Sequence, residues 1–233
     1  MKYFFLFLLA VCAKNILQAQ SSYRFKNYTI NEGLSQSSVT CVIQDKSNAI
    51  WIGTQDGLNR FDGKTFEIFN SDNTKGIESE YIRCSAKTLD ENLWFGTLNG
   101  LTKYDFKKEK FKTFSFLKNT PLQVEKIAVD KAGNLWLASL TSGLLLFDSK
   151  TEKITSYSFL LPSSKVQTIF HAENGELFVS TEDKGLYRCN IKKKTIQRVY
   201  IPYLKDVQGS ILKIMSCEKD KILFCTTQGV FEY

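Results

Sequence analysis

Five stretches of this 233-residue chain share one plan, and the period of that plan constrains the fold more than any other feature. The clearest copy runs from Ser38 to Asn70. Val39 to Gln44 is rich in β-branched residues and predicts a strand. Asp45-Lys46-Ser47-Asn48 follows as a turn, and Ile50-Trp51-Ile52-Gly53-Thr54 as a second strand. Asp56-Gly57 marks a tight turn, because glycine tolerates positive φ. Leu58 to Phe61 predicts a third strand, Asp62-Gly63 a further turn, and Phe66 to Phe69 a fourth strand alternating apolar and polar residues. Four strands joined by hairpins form one small antiparallel sheet, which cannot cover both of its own faces and so needs copies of itself to pack against. Those copies follow at Tyr81–Phe114, Val124–Tyr157, Val166–Val199 and Ile211–Tyr233. Their second-strand anchors are Trp51, Trp94, Trp136, Phe178 and Phe224, spaced by 43, 42, 42 and 46 residues. A four-stranded unit at this period predicts an all-β chain of propeller blades at 38–70, 81–114, 124–157, 166–199 and 211–233.

The start of the chain has a different character. Met1 and Lys2 precede an apolar run of 11 residues from Tyr3 to Ala13, followed by Leu17-Gln18-Ala19-Gln20. This predicts a secretory signal peptide over residues 1–20, with the propeller sector over 21–233. The run is short against the roughly 20 apolar residues of a membrane span, and no other segment reaches that length, so a mature chain without a span is expected. Periplasmic or extracellular placement follows from export.

Charge and cysteines exclude more than they assign. The net charge is +7, with basic clusters at Lys107-Lys108-Glu109-Lys110 and Lys192-Lys193-Lys194. Both fall at the hairpin between third and fourth strands. They read as solvated tips that discourage edge pairing rather than as a nucleic-acid surface. Five cysteines lie beyond the leader, at Cys41, Cys84, Cys189, Cys217 and Cys225, with no C-x-x-C pair, so neither a zinc site nor a full disulfide framework is expected. Cys41 and Cys84 each stand ten residues before their tryptophan and read as fillers of the same small slot in two blades. A disulfide between them stays open in an oxidising compartment.

Catalytic constellations are absent from the pattern. The single histidine, His171, ends a first strand with no acid partner nearby in sequence, and no nucleophile elbow or phosphate-binding glycine loop occurs. No catalytic residue, metal or cofactor is expected. Asp45, Asp90 and Asp130 recur before the second strands and read as turn caps bonding the backbone amides that follow them, not as a metal ring.

The run Val39…Asp45…Ile50-Trp51-Ile52-Gly53-Thr54…Asp56-Gly57-Leu58-Asn59-Arg60-Phe61-Asp62 resembles the two-component regulator propeller repeat. Glu32-Gly33-Leu34-Ser35-Gln36-Ser37-Ser38 resembles the usual lead-in to the first blade. Leu93-Trp94-Phe95-Gly96-Thr97 matches the repeat well, and Leu135-Trp136-Leu137-Ala138 in part. The fourth and fifth units diverge, with phenylalanine in place of tryptophan. The resemblance implies an extracytoplasmic sensor region of a hybrid two-component histidine kinase feeding a phosphorelay and responding to glycans. In the full-length form it implies two seven-bladed rings and pairing with a second sensor subunit. Kinase and receiver sequences are missing from these residues, so the chain reads as an N-terminal piece of such a sensor, a non-enzymatic binding module. The alternative is a stand-alone secreted binding or scaffold propeller.

Two structural expectations follow. Loops that vary between repeats sit on one face, where a rigid scaffold usually presents its binding residues. That face gathers Ser71–Glu80, Leu117–Gln123, Leu160–Lys165 and Ile201–Gly209, with Asp56, Asn99, Ser142 and Asp183 as candidate ligand contacts for an oligosaccharide. Tyr23 to Tyr28, within residues 21–30, alternates like a strand. It would pair with Gly229–Tyr233 if five blades closed a ring, whereas a seven-bladed ring would leave it waiting for a missing blade; the latter is expected.

Overall fold

The computed structural model describes residues 25–115, 121–201, 211–218 and 221–233; the signal peptide expected at 1–20 lies outside them. Every regular element longer than three residues is a strand. Blade 1 contains β1 (Val39–Gln44), β2 (Ile50–Thr54), β3 (Gly57–Phe61) and β4 (Phe66–Phe69). Blade 2 contains β5 (Ile82–Lys87), β6 (Leu93–Thr97), β7 (Gly100–Asp105) and β8 (Lys110–Phe114). Blade 3 contains β9 (Lys126–Val129), β10 (Leu135–Ser139), β11 (Gly143–Asp148) and β12 (Lys153–Ser156). Blade 4 contains β13 (Val166–His171), β14 (Leu177–Thr181), β15 (Gly185–Asn190) and β16 (Thr195–Val199). Blade 5 has three described strands, β17 (Ile211–Glu218), β18 (Lys221–Thr226) and β19 (Gly229–Glu232). Each sheet is an antiparallel meander in chain order.

The core lies between blades. Trp51, Leu58, Ile77, Ile82, Leu93 and Phe95 form one buried cluster where blade 1 meets blade 2. Trp94 packs with Val124, Leu137 and Phe147 between blades 2 and 3. Trp136 packs with Val166, Ile169 and Val179 between blades 3 and 4, and Phe178 with Ile211, Ile214 and Phe224 between blades 4 and 5. Each of the first four anchors therefore closes the interface with the following blade, which is why their spacing matches the blade length. The first strands β1, β5, β9, β13 and β17 stand side by side and line a central cavity of about 590 Å³.

Two glycines show how tightly this is built. Gly57 sits in the β2–β3 turn at φ +102°, and a Cβ there would meet the Phe69 carbonyl at 2.7 Å. Gly53 has ordinary φ, but a Cβ would fall 2.6 Å from Cys41 Sγ and 2.6 Å from Ile82 Cγ2 of the next blade. Gly96 stands in the same relation to Cys84 and Val124. The two cysteines are thus fillers of equivalent slots, and both are free thiols.

The turn caps are also present. Asp45 Oδ1 accepts the Ser47 and Ala49 amides at 2.7 and 3.0 Å, and Asp130 Oδ1 accepts the Ala132 and Asn134 amides at 2.8 and 2.9 Å. Asp90 needs a correction of register. It accepts from Asn92, but the place equivalent to Asp45, six residues before the tryptophan, belongs to Thr88, whose hydroxyl accepts the Trp94 indole N–H at 3.2 Å.

The N-terminal strand does not form over its described part. Phe25–Thr29 is irregular, and β19 pairs with β18 alone among the described residues. Tyr28 instead packs edge-on against Phe61 and Phe66, at 5.0 and 5.6 Å between ring centres, on the β3–β4 hairpin. Two aromatic partners outweigh what a solvated edge pairing offers.

Candidate functional site

Among the described residues, turns and entry loops meet on one face, while 117–120 and 202–209 of the expected loops lie outside the described residues. The Gly57 amide in the β2–β3 turn donates to Glu80 O, Val124 N to Thr97 O, and Glu182 N to Lys165 O, each tying a turn to the loop that enters a first strand. Four of the turns are held by a residue not singled out from the sequence. Thr54, Thr97, Thr181 and Thr226 end their second strands, and each hydroxyl donates to the carbonyl of the turn glycine at 2.9–3.1 Å. The same hydroxyls accept an amide inside the turn, from Asp56, Asn99, Lys184 and Gln228. Local side-chain bonding of this kind explains why Gly-Thr recurs.

At the centre of that face four of the five first strands are irregular at the same level. The β1–β2 ladder jumps from Val39 to Cys41, β5–β6 from Ile82 to Cys84, β13–β14 from Val166 to Thr168, and β17–β18 from Ile211 to Lys213. The extra residues are Thr40, Arg83, Gln167 and Leu212. In blade 3 Glu125 takes the same place, just before β9, with its amide on Ala138 O. These five residues are spaced by 43, 42, 42 and 45, the rhythm of the anchors. A bulge bends the strand and re-aims a side chain. Here it turns Thr40, Arg83, Gln167 and Leu212 toward a cavity of about 260 Å³ at the channel mouth, which Glu125 enters without a bulge and which Tyr81 and Lys126 share. The scaffold repeats while the ring is different in every blade.

The ring is polar and partly unsatisfied. Thr40 Oγ1 donates to Ile82 O at 2.7 Å, linking blades 1 and 2. Arg83 Nη2 meets Glu125 Oε2 at 2.5 Å, linking blades 2 and 3, and the Arg83 guanidinium also lies 5.5 Å from the Tyr81 ring centre. Glu125 is 8% exposed, yet its Oε1 has no hydrogen-bond partner; nor has Gln167 Oε1. Two buried acceptors facing one cavity leave room for donors on a ligand. Deeper in the channel, burial pushes the Cys84 thiol up to about 12 and raises that of Cys41, so neither is a ready nucleophile. His171 also faces the channel, and burial lowers its pKa.

Asp56, Asn99, Ser142 and Asp183 all lie in the turns of this face, outside the mouth cavity. Asp56 is exposed and the other three half-buried. The Ser163 hydroxyl beside Asp183 holds its carboxyl below the usual range. The structure places them around one rim but brings no two of them into contact. Four of the five ring residues are polar ones recurring near the blade period, a signal the sequence carries without showing that they face the channel. Among the described residues no cluster of three histidine, cysteine or acidic side chains has metal-binding geometry.

Comparison with known proteins gives the class. Residues 33–56, the lead-in with β1, β2 and their turn, match the family described as two component regulator propeller. The first blade carries that repeat, as its residues indicated. Over 68 residues the chain is 44% identical to Histidine kinase P4 of Formosa agariphila, a match covering 29% of this chain and 5% of that protein. Among solved structures, the extracellular domain assigned to the hybrid two component system BT3049 from B. thetaiotaomicron superposes with a TM-score of 0.78 at 23% identity, over 89% of this chain and 30% of that one. That of BT4673 gives 0.73 at 23%, over 90% and 28%. A streptogramin B lyase gives 0.67 at 14%, over 86% and 70%. The chain thus spans less than a third of the sensor domains it resembles, and at these identities the likeness is one of fold.

Proposed function

We propose that this chain is the ligand-sensing propeller of an extracytoplasmic two-component sensor, exported by its leader and binding an oligosaccharide at the mouth of the central channel. The observation that carries the reading is the ring at the channel mouth: five positions at the blade period, four of them set by bulges, with five different side chains and two buried oxygens short of donors. Sugar hydroxyls supply such donors and accept in return from Arg83 and Lys126. Asp56, Asn99, Ser142 and Asp183 extend the contact outward over the rim. The repeat in the first blade and the match to Histidine kinase P4 support a sensing role in which kinase and receiver belong to a longer polypeptide, paired with a second sensor subunit.

The test is a titration of the isotope-labelled propeller with an oligosaccharide library, read by amide shifts. Saturable shifts are expected at residues 81–83, 125–126 and 167, and are expected to vanish in a Glu125→Leu, Arg83→Met double variant, which removes the pair together. Shifts confined to the opposite face, around the first-to-second strand turns, would overturn the proposal.

A further inference from the structure

A larger cavity lies elsewhere, in the groove between blades 1 and 2, with a volume of about 850 Å³. Its wall is aromatic, made by Phe69, Tyr104, Phe106 and Phe111, whose ring centres stand 4.8–5.2 Å apart in neighbouring pairs. Lys46, Arg60, Lys75 and Lys110 face it from four different segments, against Glu67 and Glu109, leaving a surplus of positive charge. Arg60 stands at its centre. It lies on β3 opposite Trp51, its guanidinium carbon 6.0 Å from the indole.

An internal comparison shows what is unusual about it. Arg188 holds the same register in blade 4, opposite Phe178. Its guanidinium donates to Tyr233 Oη at 3.2 Å and Gln197 Oε1 at 2.8 Å, and approaches Glu176 at 3.6 Å. Arg60 has only two ionic approaches, Nε to Asp45 Oδ2 and Nη1 to Glu67 Oε2, each 3.8 Å and beyond hydrogen-bond length. Its Nε is buried with no partner. Asp45 does not reach it: its carboxylate is held by the Trp51 indole at 2.8 Å on Oδ2 and the Ser47 and Ala49 amides on Oδ1, which leaves Oδ2 3.8 Å from Nε. A planar fork of donors, its Nε buried without an acceptor and the side chain 35% exposed to the groove, is therefore held against an aromatic wall.

We infer that this groove is a second binding site, independent of the channel mouth, for an organic carboxylate whose carboxyl group takes the Arg60 fork and whose apolar face lies on the Tyr104–Phe111 wall. The fork matches a carboxylate bidentately, and the surrounding lysines add charge without geometry. Sugar acids and aromatic acids share this chemistry.

The experiment follows the side-chain Nε–H resonance of Arg60 during titration with benzoate, glucuronate, their neutral analogues benzyl alcohol and glucose, and sulfate. Saturable movement with benzoate or glucuronate and none with the neutral analogues is expected, and which acid acts tells the aromatic source from the sugar source. Sulfate acting as well as either acid would assign a bare anion site and overturn the carboxylate reading. No movement up to about 50 mM of either acid, a concentration above any affinity worth the name of a site, would also overturn it. Arg60→Lys keeps the charge but loses the fork and is expected to weaken binding by ~10-fold. Lys75→Gln with Lys110→Gln leaves the Trp51 packing untouched and is expected to weaken binding by a few-fold with a flatter salt dependence. Unchanged affinity in either variant would refute the assignment.

Discussion

Asp45 Oδ2 accepts the indole N–H of Trp51 at 2.8 Å, so the residue that caps the first hairpin also fixes the aromatic side chain that seals blade 1 against blade 2. In blade 2 Thr88 does the same for Trp94. A local turn and a long-range interface are thereby coupled through one polar side chain.

Removing that side chain leaves the indole and two amides without an acceptor. Asp45→Ala is expected to cost about 2–3 kcal/mol, measured by urea unfolding. Burial works to raise the Asp45 pKa, but bonds from Ser47, Trp51 and the Ser47 and Ala49 amides outweigh it and hold the carboxyl below its usual range. The stability it contributes is then complete above the unfolded value of about 3.9 and is lost as pH falls through the lower folded value. Wild type is expected to lose stability over that acid window, and Asp45→Asn to show a flatter profile there.

The anchors themselves are the largest buried side chains. Trp51→Ala and Trp94→Ala are each expected to cost about 3–5 kcal/mol, since both empty a fully packed inter-blade site. A loss below about 1 kcal/mol at both would remove them from the core.

Gly53→Ala places a methyl group where Cys41 Sγ and Ile82 already stand. A cost of about 1–3 kcal/mol is expected by calorimetry. Ala138 occupies the same place in blade 3, where Lys126 rather than a cysteine lies opposite, and its replacement by glycine is expected to cost about 1 kcal/mol through lost packing and added chain freedom.

At the channel mouth, Arg83→Met leaves the Glu125 carboxylate buried and unpaired. The expected cost is about 1–3 kcal/mol, below that of a fully buried pair because Arg83 is 28% exposed. The Arg83→Met, Glu125→Leu double variant is expected to be more stable than Arg83→Met alone, a reversal that a double-mutant cycle reads directly.

Thiol chemistry gives a further check. Burial pushes Cys84 and Cys189 up to about 12, whereas Cys217 is exposed. With N-ethylmaleimide at neutral pH, Cys217 is expected to react first and the two buried thiols only on unfolding, as peptide mass mapping would show. Early modification of Cys84 would place it outside the core.

The sequence by itself determined the repeat, the strands and the anchors. Trp51, Trp94, Trp136 and Phe178 announce themselves because a blade must bury one face against the next, and a local hairpin pattern recurring at 42–46 residues has few other solutions. It also determined the turn chemistry, since Asp45 and Asp130 act within four residues of themselves. Only the tertiary structure decided which residues face the channel. Thr40, Arg83, Gln167 and Leu212 are brought beside Glu125 by bulges, and a bulge is a shift of pairing between two strands that neither strand's own alternation displays. The same holds for Arg60 and Arg188: identical in type and register, they differ because Tyr233 and Gln197 bond one guanidinium, whereas the other has two ionic approaches at 3.8 Å and an Nε without a hydrogen bond.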